Sequence, residues 1–302
     1  MPQLPAVSLV AVPGRRARAL ELAREVERRG FPSMWAPSLG GEQLSFCTSA
    51  LGATTDLVVG TAIHPIYFRH AWDVAATAGY LHETSGGRFR LGLGVSHGPV
   101  HERLGLQTGK PLADTRTYVE GLRAAAGQSG ELPPVILATL RDRMLELAVE
   151  VAEGAVWANG ARSHMAAQLA GAAAGRPQGF TVANMVPTVI DDDREAAAAV
   201  CRKTLGGYVR LPNYRNYWKA AGYEEEMTAI EAALEAGDTD RIPALMHDRW
   251  LADVTLFGPA GAVRDGIEAW FAAGVDTPIV VPSSTTGGQL KALQELFDLY
   301  AR

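Results

Sequence analysis

The chain has 302 residues, 47% of them apolar and 20% charged, so it holds ample material for a packed core and is not disordered. Its 28 basic against 33 acidic residues leave a formal charge of −5, and no basic stripe stands out, which argues against nucleic-acid binding. Arg15, Arg16 and Arg18, for example, are followed by Glu21, Glu25 and Glu27 in one helical window. No apolar run reaches membrane-spanning length, and the opening Met1-Pro2-Gln3-Leu4-Pro5 has no basic segment of a targeting signal. A cytoplasmic location with no membrane partner is expected. Cys47 and Cys201 form no CxxC pair and read as buried thiols of a reducing compartment.

Taken in chain order, short β-rich runs alternate with amphipathic windows. The expected strands are 7–12, 33–37, 57–63, 89–95, 135–139, 155–159, 181–189 and 278–281. Helical windows fall at 15–29, 45–53, 71–84, 116–126, 143–153, 164–174 and 193–205, with a last helix at 260–273. This alternation fits a closed (β/α)8 barrel (a TIM barrel) or an open doubly wound α/β sheet. The nearest dinucleotide fingerprint, Gly92-Leu93-Gly94-Val95-Ser96-His97-Gly98, has its third glycine one residue late and its first two inside a strand. The barrel is therefore favoured, as a single domain over 1–302. The stretch 206–257 breaks the alternation and reads as a helical insertion after the seventh strand, carrying Tyr208, Tyr214, Tyr217, Trp218 and Tyr223. It suits a lid, a subunit contact or a structural helical pair.

Barrel active sites lie at the carboxyl ends of the strands. Those ends offer Trp35 and Ser38, His64, His97, Thr139, Trp157 with Asn159 and Gly160, and Asn184. No carboxylate pair, strand-end lysine or G-x-S-x-G elbow is among them, so glycosidase, Schiff-base and α/β-hydrolase chemistry lack their groups. His97 and His101 are four apart, but Pro99 between them argues against a metal-binding helix, and no metal site is expected. A polar, aromatic and histidine-containing site with little reactivity of its own suits an organic cofactor.

Four segments carry a resemblance. Ser85 to His97, reading SGGRFRLGLGVSH, resembles the fourth-strand signature of the luciferase-like flavin and deazaflavin oxidoreductases. Gly60-Thr61-Ala62-Ile63 with Phe68-Arg69-His70 is similar to their third strand and following helix start. Arg143 to Ala148 with Ala152-Glu153-Gly154, and Leu256-Phe257-Gly258-Pro259 through Asp276, resemble later elements in the right order. The resemblance implies a (β/α)8 barrel of luciferase-like type that uses coenzyme F420, or alternatively reduced FMN with O2, on a small-molecule substrate, and a homodimer. A barrel that binds without catalysis is a further alternative.

Carried over by position, the resemblance puts a non-prolyl cis peptide near Ala62-Ile63, against the cofactor ring. His97 and His64 become the candidate catalytic groups, able to hydrogen-bond the ring or move a proton. Trp35 is either a cofactor wall or barrel-layer packing, and Ser38, Ser96 and Thr139 join Ala62 and Ile63 as candidate ring contacts. Asn159, Gly160 and Ala161 precede a helix and are expected to hold the cofactor phosphate through backbone N–H groups. One departure is visible: where the family often has an acidic residue after strand two, this chain reads Ala36-Pro37-Ser38.

Overall fold

A computed structural model describes residues 3–38 and 42–301. Its elements run β1 (Ala6–Ser8), α1 (Arg16–Arg28), β2 (Ser33–Ala36), α2 (Gln43–Ala53), β3 (Val58–Thr61), β4 (His64–Pro65), α3 (Ala71–Thr84) and β5 (Phe89–Gly94). There follow α4 (Gly98–Leu104), α5 (Pro111–Ser129), β6 (Val135–Ala138), α6 (Asp142–Val151), β7 (Gly154–Ala158), α7 (Arg162–Ala170), β8 (Thr181–Ile190) and α8 (Arg194–Leu205). The chain closes with α9 (Pro212–Ala220), α10 (Glu224–Glu235), α11 (Ile242–Leu245), α12 (Asp248–Val254), β9 (Leu256–Gly258), α13 (Ala260–Ala272), β10 (Thr277–Ser283) and α14 (Gln289–Leu299). The chain divides into two compact units, Met1–Trp157 with Gly171–Ala183, and Ala158–Ala170 with Asn184–Arg302.

In the first unit the strands pair in parallel in the order β1-β2-β3-β5-β6-β7, with β4 also on β5. Their residues are buried almost throughout, as expected where helical crossovers cover a parallel sheet. Close strand approach depends on glycine. A Cβ on Gly92 would lie 1.8 Å from the Thr61 carbonyl oxygen, and one on Gly60 2.7 Å from the Trp35 ring. At the opposite ends of these strands, the Glu27 carboxylate accepts the backbone N–H groups of Thr55, Asp56 and Leu57 at 2.7, 2.7 and 3.0 Å.

In the second unit β8 pairs in parallel with β9 and also contacts β10. The stretch 206–257 forms a short 3-10 turn at Tyr208–Arg210 and then α9 to α12. Its aromatic residues make a core of their own: Tyr214, Tyr217, Trp218, Tyr223 and Trp250 are all buried. Trp218 packs edge-on against Trp250 and tilted against Tyr214. Aromatic burial therefore accounts for the tyrosine-rich sequence.

Four expectations about elements need correction. The Leu256 segment opens with a short strand, β9, and a helix, α14, follows the last strand. The third expected strand is two pieces, β3 and β4, interrupted at Ala62-Ile63. Pro99 does not prevent a helix at 98–104, because it occupies the first turn, where a missing N–H costs no intrahelical bond.

Candidate functional site

In the first unit the candidate site residues lie on or just after the strands. The Ala62–Ile63 peptide bond is cis, at the position the resemblance implied. The Ala62 N–H donates to the Ala36 carbonyl at 2.8 Å, and Thr61 Oγ1 donates to the Gly92 carbonyl at 2.7 Å, tying this turn to strands on both sides. Ile63 is half-buried and faces Gly94, where a Cβ would come within 3.0 Å of its side chain. Ala62 is buried.

His64 follows at once and is 2% exposed, yet neither ring nitrogen has a hydrogen-bond partner among the described residues. Burial pushes its pKa down to about 4; the Glu42 and Asp73 carboxylates oppose this and Arg69 reinforces it. The imidazole is thus neutral near pH 7 and presents one donor and one acceptor. Leaving such groups buried and unpaired is costly. Other polar atoms of this unit are in the same condition on strand ends: Ser8 Oγ, Thr139 Oγ1 and Trp157 Nε1. Buried polar groups are ordinarily paired, and orphans at several strand ends fit a polar ligand or bound water.

Ser96 and His97 occupy the turn after β5. Ser96 adopts φ +64°, and His97 is the residue before α4, half-buried, its pKa lowered by burial and by the neighbouring His101. His101, which its spacing from His97 presents only as a rejected metal ligand, holds this turn: its Nε2 lies 2.5 Å from the Val95 carbonyl. Its ring meets Tyr67 edge-on at 5.2 Å, and the Tyr67 hydroxyl donates to Asp114 at 2.7 Å. Tyr67, His101 and Asp114 are far apart in sequence, so no local spacing shows that they meet. Ser38 is half-buried at the end of β2. Trp35 is fully packed, its Nε1 donating to Ser33 Oγ at 3.0 Å and its ring lying over Gly60, which favours the packing reading.

In the second unit, Asn159, Gly160 and Ala161 form a buried turn before α7, with Asn159 at φ +58°. The expected phosphate donors are already engaged. The Asn159 N–H donates to the Met185 carbonyl, the Gly160 N–H to Asn184 Oδ1 at 3.1 Å, and the Ala161 N–H to the Tyr217 hydroxyl at 2.9 Å. Asp253 accepts from the Ser163 N–H and hydroxyl at 2.9 and 2.7 Å, placing a carboxylate of the chain itself at the helix start. The expectation that Gly160 and Ala161 present free N–H groups to a phosphate is corrected accordingly. Strand-end polar groups of the first unit fit a heterocyclic ring; this turn does not fit a phosphate as it stands.

Among the described residues no group of three or more His, Cys, Asp or Glu side chains is placed to hold a metal, and no helix is long and apolar enough to cross a membrane.

Residues 5–277 match the luciferase-like monooxygenase family, and the chain belongs to it. Its fold is the (β/α)8 barrel of that family. A Mycobacterium tuberculosis protein provisionally named a coenzyme F420-dependent oxidoreductase is 24% identical over 313 residues, covering 87% of this chain and 90% of its own. Among solved structures, the coenzyme F420-dependent tetrahydromethanopterin reductase from Methanopyrus kandleri is similar with TM-score 0.76 at 19% identity, covering 98% of both chains. An F420-dependent secondary alcohol dehydrogenase bound to an F420–acetone adduct is similar with TM-score 0.73 at 15% identity, covering 99% of this chain and 98% of that one.

Proposed function

We propose that the protein is an F420-dependent oxidoreductase that transfers a hydride between the deazaflavin C5 and a small organic substrate. The observation that carries this reading is His64, buried at the end of the interrupted third strand with both ring nitrogens unpaired among the described residues. When bound, the deazaflavin supplies the carbon that gives or takes the hydride. His64 offers the ring system one donor and one acceptor from a buried position. Ile63 and Ala62 supply the apolar surface beneath it, and Ser38, Ser96 and Thr139 supply polar contacts at its edge. His97, half-buried and held below the usual histidine range, is neutral near pH 7 and moves the proton that accompanies hydride transfer. The Mycobacterium tuberculosis relative named for coenzyme F420 supports this choice of cofactor.

The monooxygenase description of the family favours a second reading, in which reduced FMN and O2 replace F420. Anaerobic titration of the purified chain with F420 and with FMN, followed by fluorescence quenching, separates the two. Preferential F420 binding, weakened in His64→Leu, is the expected result. Preferential FMN binding with oxygen uptake would overturn it. We also propose that the protein acts in the cytoplasm as a homodimer; exposed Phe68, Trp72 and Tyr80, on and just before α3, support a protein contact there.

A further inference from the structure

The turn after β5 carries His97, yet little in its own local structure fixes it in place. Ser96 sits at φ +64°, a left-handed conformation that residues other than glycine rarely adopt. No residue of α4, which follows at once, is buried, so core packing does not set the position of this helix. One residue, His101, grips the turn on both sides of Ser96. Its backbone N–H donates to the His97 carbonyl at 3.2 Å, and its ring Nε2 lies 2.5 Å from the Val95 carbonyl. A carbonyl oxygen only accepts, so Nε2 carries the proton of this bond. The Val95 carbonyl belongs to the peptide group whose rotation about the Ser96 N–Cα bond defines φ there. The His101 ring therefore holds the unusual dihedral directly.

His101 is backed in turn by groups from outside the turn, all within the first unit. Its ring meets Tyr67 edge-on at 5.2 Å. Asp114 of α5 accepts both the Tyr67 hydroxyl at 2.7 Å and the Gly109 N–H at 2.8 Å. The segment from Val95 to Gly109 is thus fastened at its start by His101 and at its end by Asp114, with Tyr67 joining the two. The first of these fastenings bears on Ser96 and His97.

We propose that His101 is a positioning residue for His97: its Nε2 bond to the Val95 carbonyl sets the Ser96 turn and thereby the place of the His97 ring. What acts is the hydrogen bond, not the charge or the bulk of the imidazole. A side chain that presents an N–H at similar reach should replace it, and an apolar side chain of similar size should not. That His97 moves a proton rests on the functional reading above; its placement by His101 does not.

The histidine ring resonances of the cofactor-free full chain, followed by NMR against pH, test this directly, with His97 identified by the line lost in His97→Gln. His101→Gln keeps an amide donor near the Nε2 position, whereas His101→Leu keeps bulk without a donor. Both remove the imidazole, so its lowering effect on His97 is lost equally, and Tyr67, Glu102, Arg103 and Asp114 are the same in both. In His101→Gln the turn should hold, and His97 should still titrate below the ordinary histidine value of about 6.5, because its burial remains. In His101→Leu the released turn should let water reach the ring and bring His97 up to that value. The two variants should melt within about 2 °C of each other, since no residue of α4 is buried and the change is local. Equal His97 midpoints in the two variants, or a midpoint that stays low in His101→Leu, would overturn the proposal. Where leucine prevents folding, His101→Ala takes its place with the same expectation. A chain that binds neither F420 nor FMN would remove the functional reading and leave this result standing.

Discussion

The Tyr217 hydroxyl accepts the Ala161 backbone N–H at 2.9 Å, so a side chain of α9 closes the turn that opens α7. Both residues are buried, at 1% and 0% exposure, and no water can replace the acceptor without rearrangement. Tyr217→Phe should therefore leave one buried donor unsatisfied and cost about 1–3 kcal/mol of stability. Urea denaturation of the variant beside wild type measures this; a difference near zero would mean that the turn relaxes to another acceptor.

His64 makes stability depend on pH in a stated direction. Its pKa is pushed down to about 4 in the folded chain, against about 6.5 unfolded. Above the unfolded value both states are neutral and the residue contributes no pH dependence. As pH falls from about 6.5 toward 4, the unfolded chain takes up a proton that the folded chain refuses, so stability drops, by on the order of 3 kcal/mol over the window. His97, lowered by burial and by His101, acts with the same sign. Denaturation at about pH 7 and pH 4.5 should show a smaller difference for His64→Leu than for wild type.

Gly92 and Gly98 lie six positions apart and should respond oppositely to alanine. A Cβ at Gly92 meets the Thr61 carbonyl oxygen at 1.8 Å, a backbone atom held by the strand pairing, whereas a Cβ at Gly98 meets nothing within 4 Å. Gly92→Ala should cost more than about 3 kcal/mol or abolish soluble expression, and Gly98→Ala should be neutral within about 0.5 kcal/mol. Thermal melts of the pair decide it.

Cys47 and Cys201 are both 0% exposed, and burial raises both thiols, that of Cys201 to about 12. Neither should react with a thiol reagent at neutral pH in the native chain, and both should react in denaturant. Fast native labelling of one thiol would reveal local opening around α2 or α8.

The alternation of strands and helices was legible because burial imposes a period on the sequence, and that period survives without knowledge of any partner. Helix α3, at 71–84, has the bounds its pattern predicts. The short strand β9 and the helix α4 carried too few residues to show a period, and Pro99 masked the latter. Strand ends could be found, and with them His64 and His97, because the ends follow from the elements. Which polar groups are already satisfied could not. The Ala161 N–H meets Tyr217, and Ser163 meets Asp253, across 56 and 90 positions of chain. Sequence by itself determined the class of fold, the strand-end candidates and, through its motifs, the family. Tertiary structure alone decided that the turn before α7 spends its donors internally and that His64 is buried with both ring nitrogens unpaired among the described residues. A side chain's hydrogen-bonding state depends on groups brought close by packing, and local sequence records only which residues are buried, not what they meet.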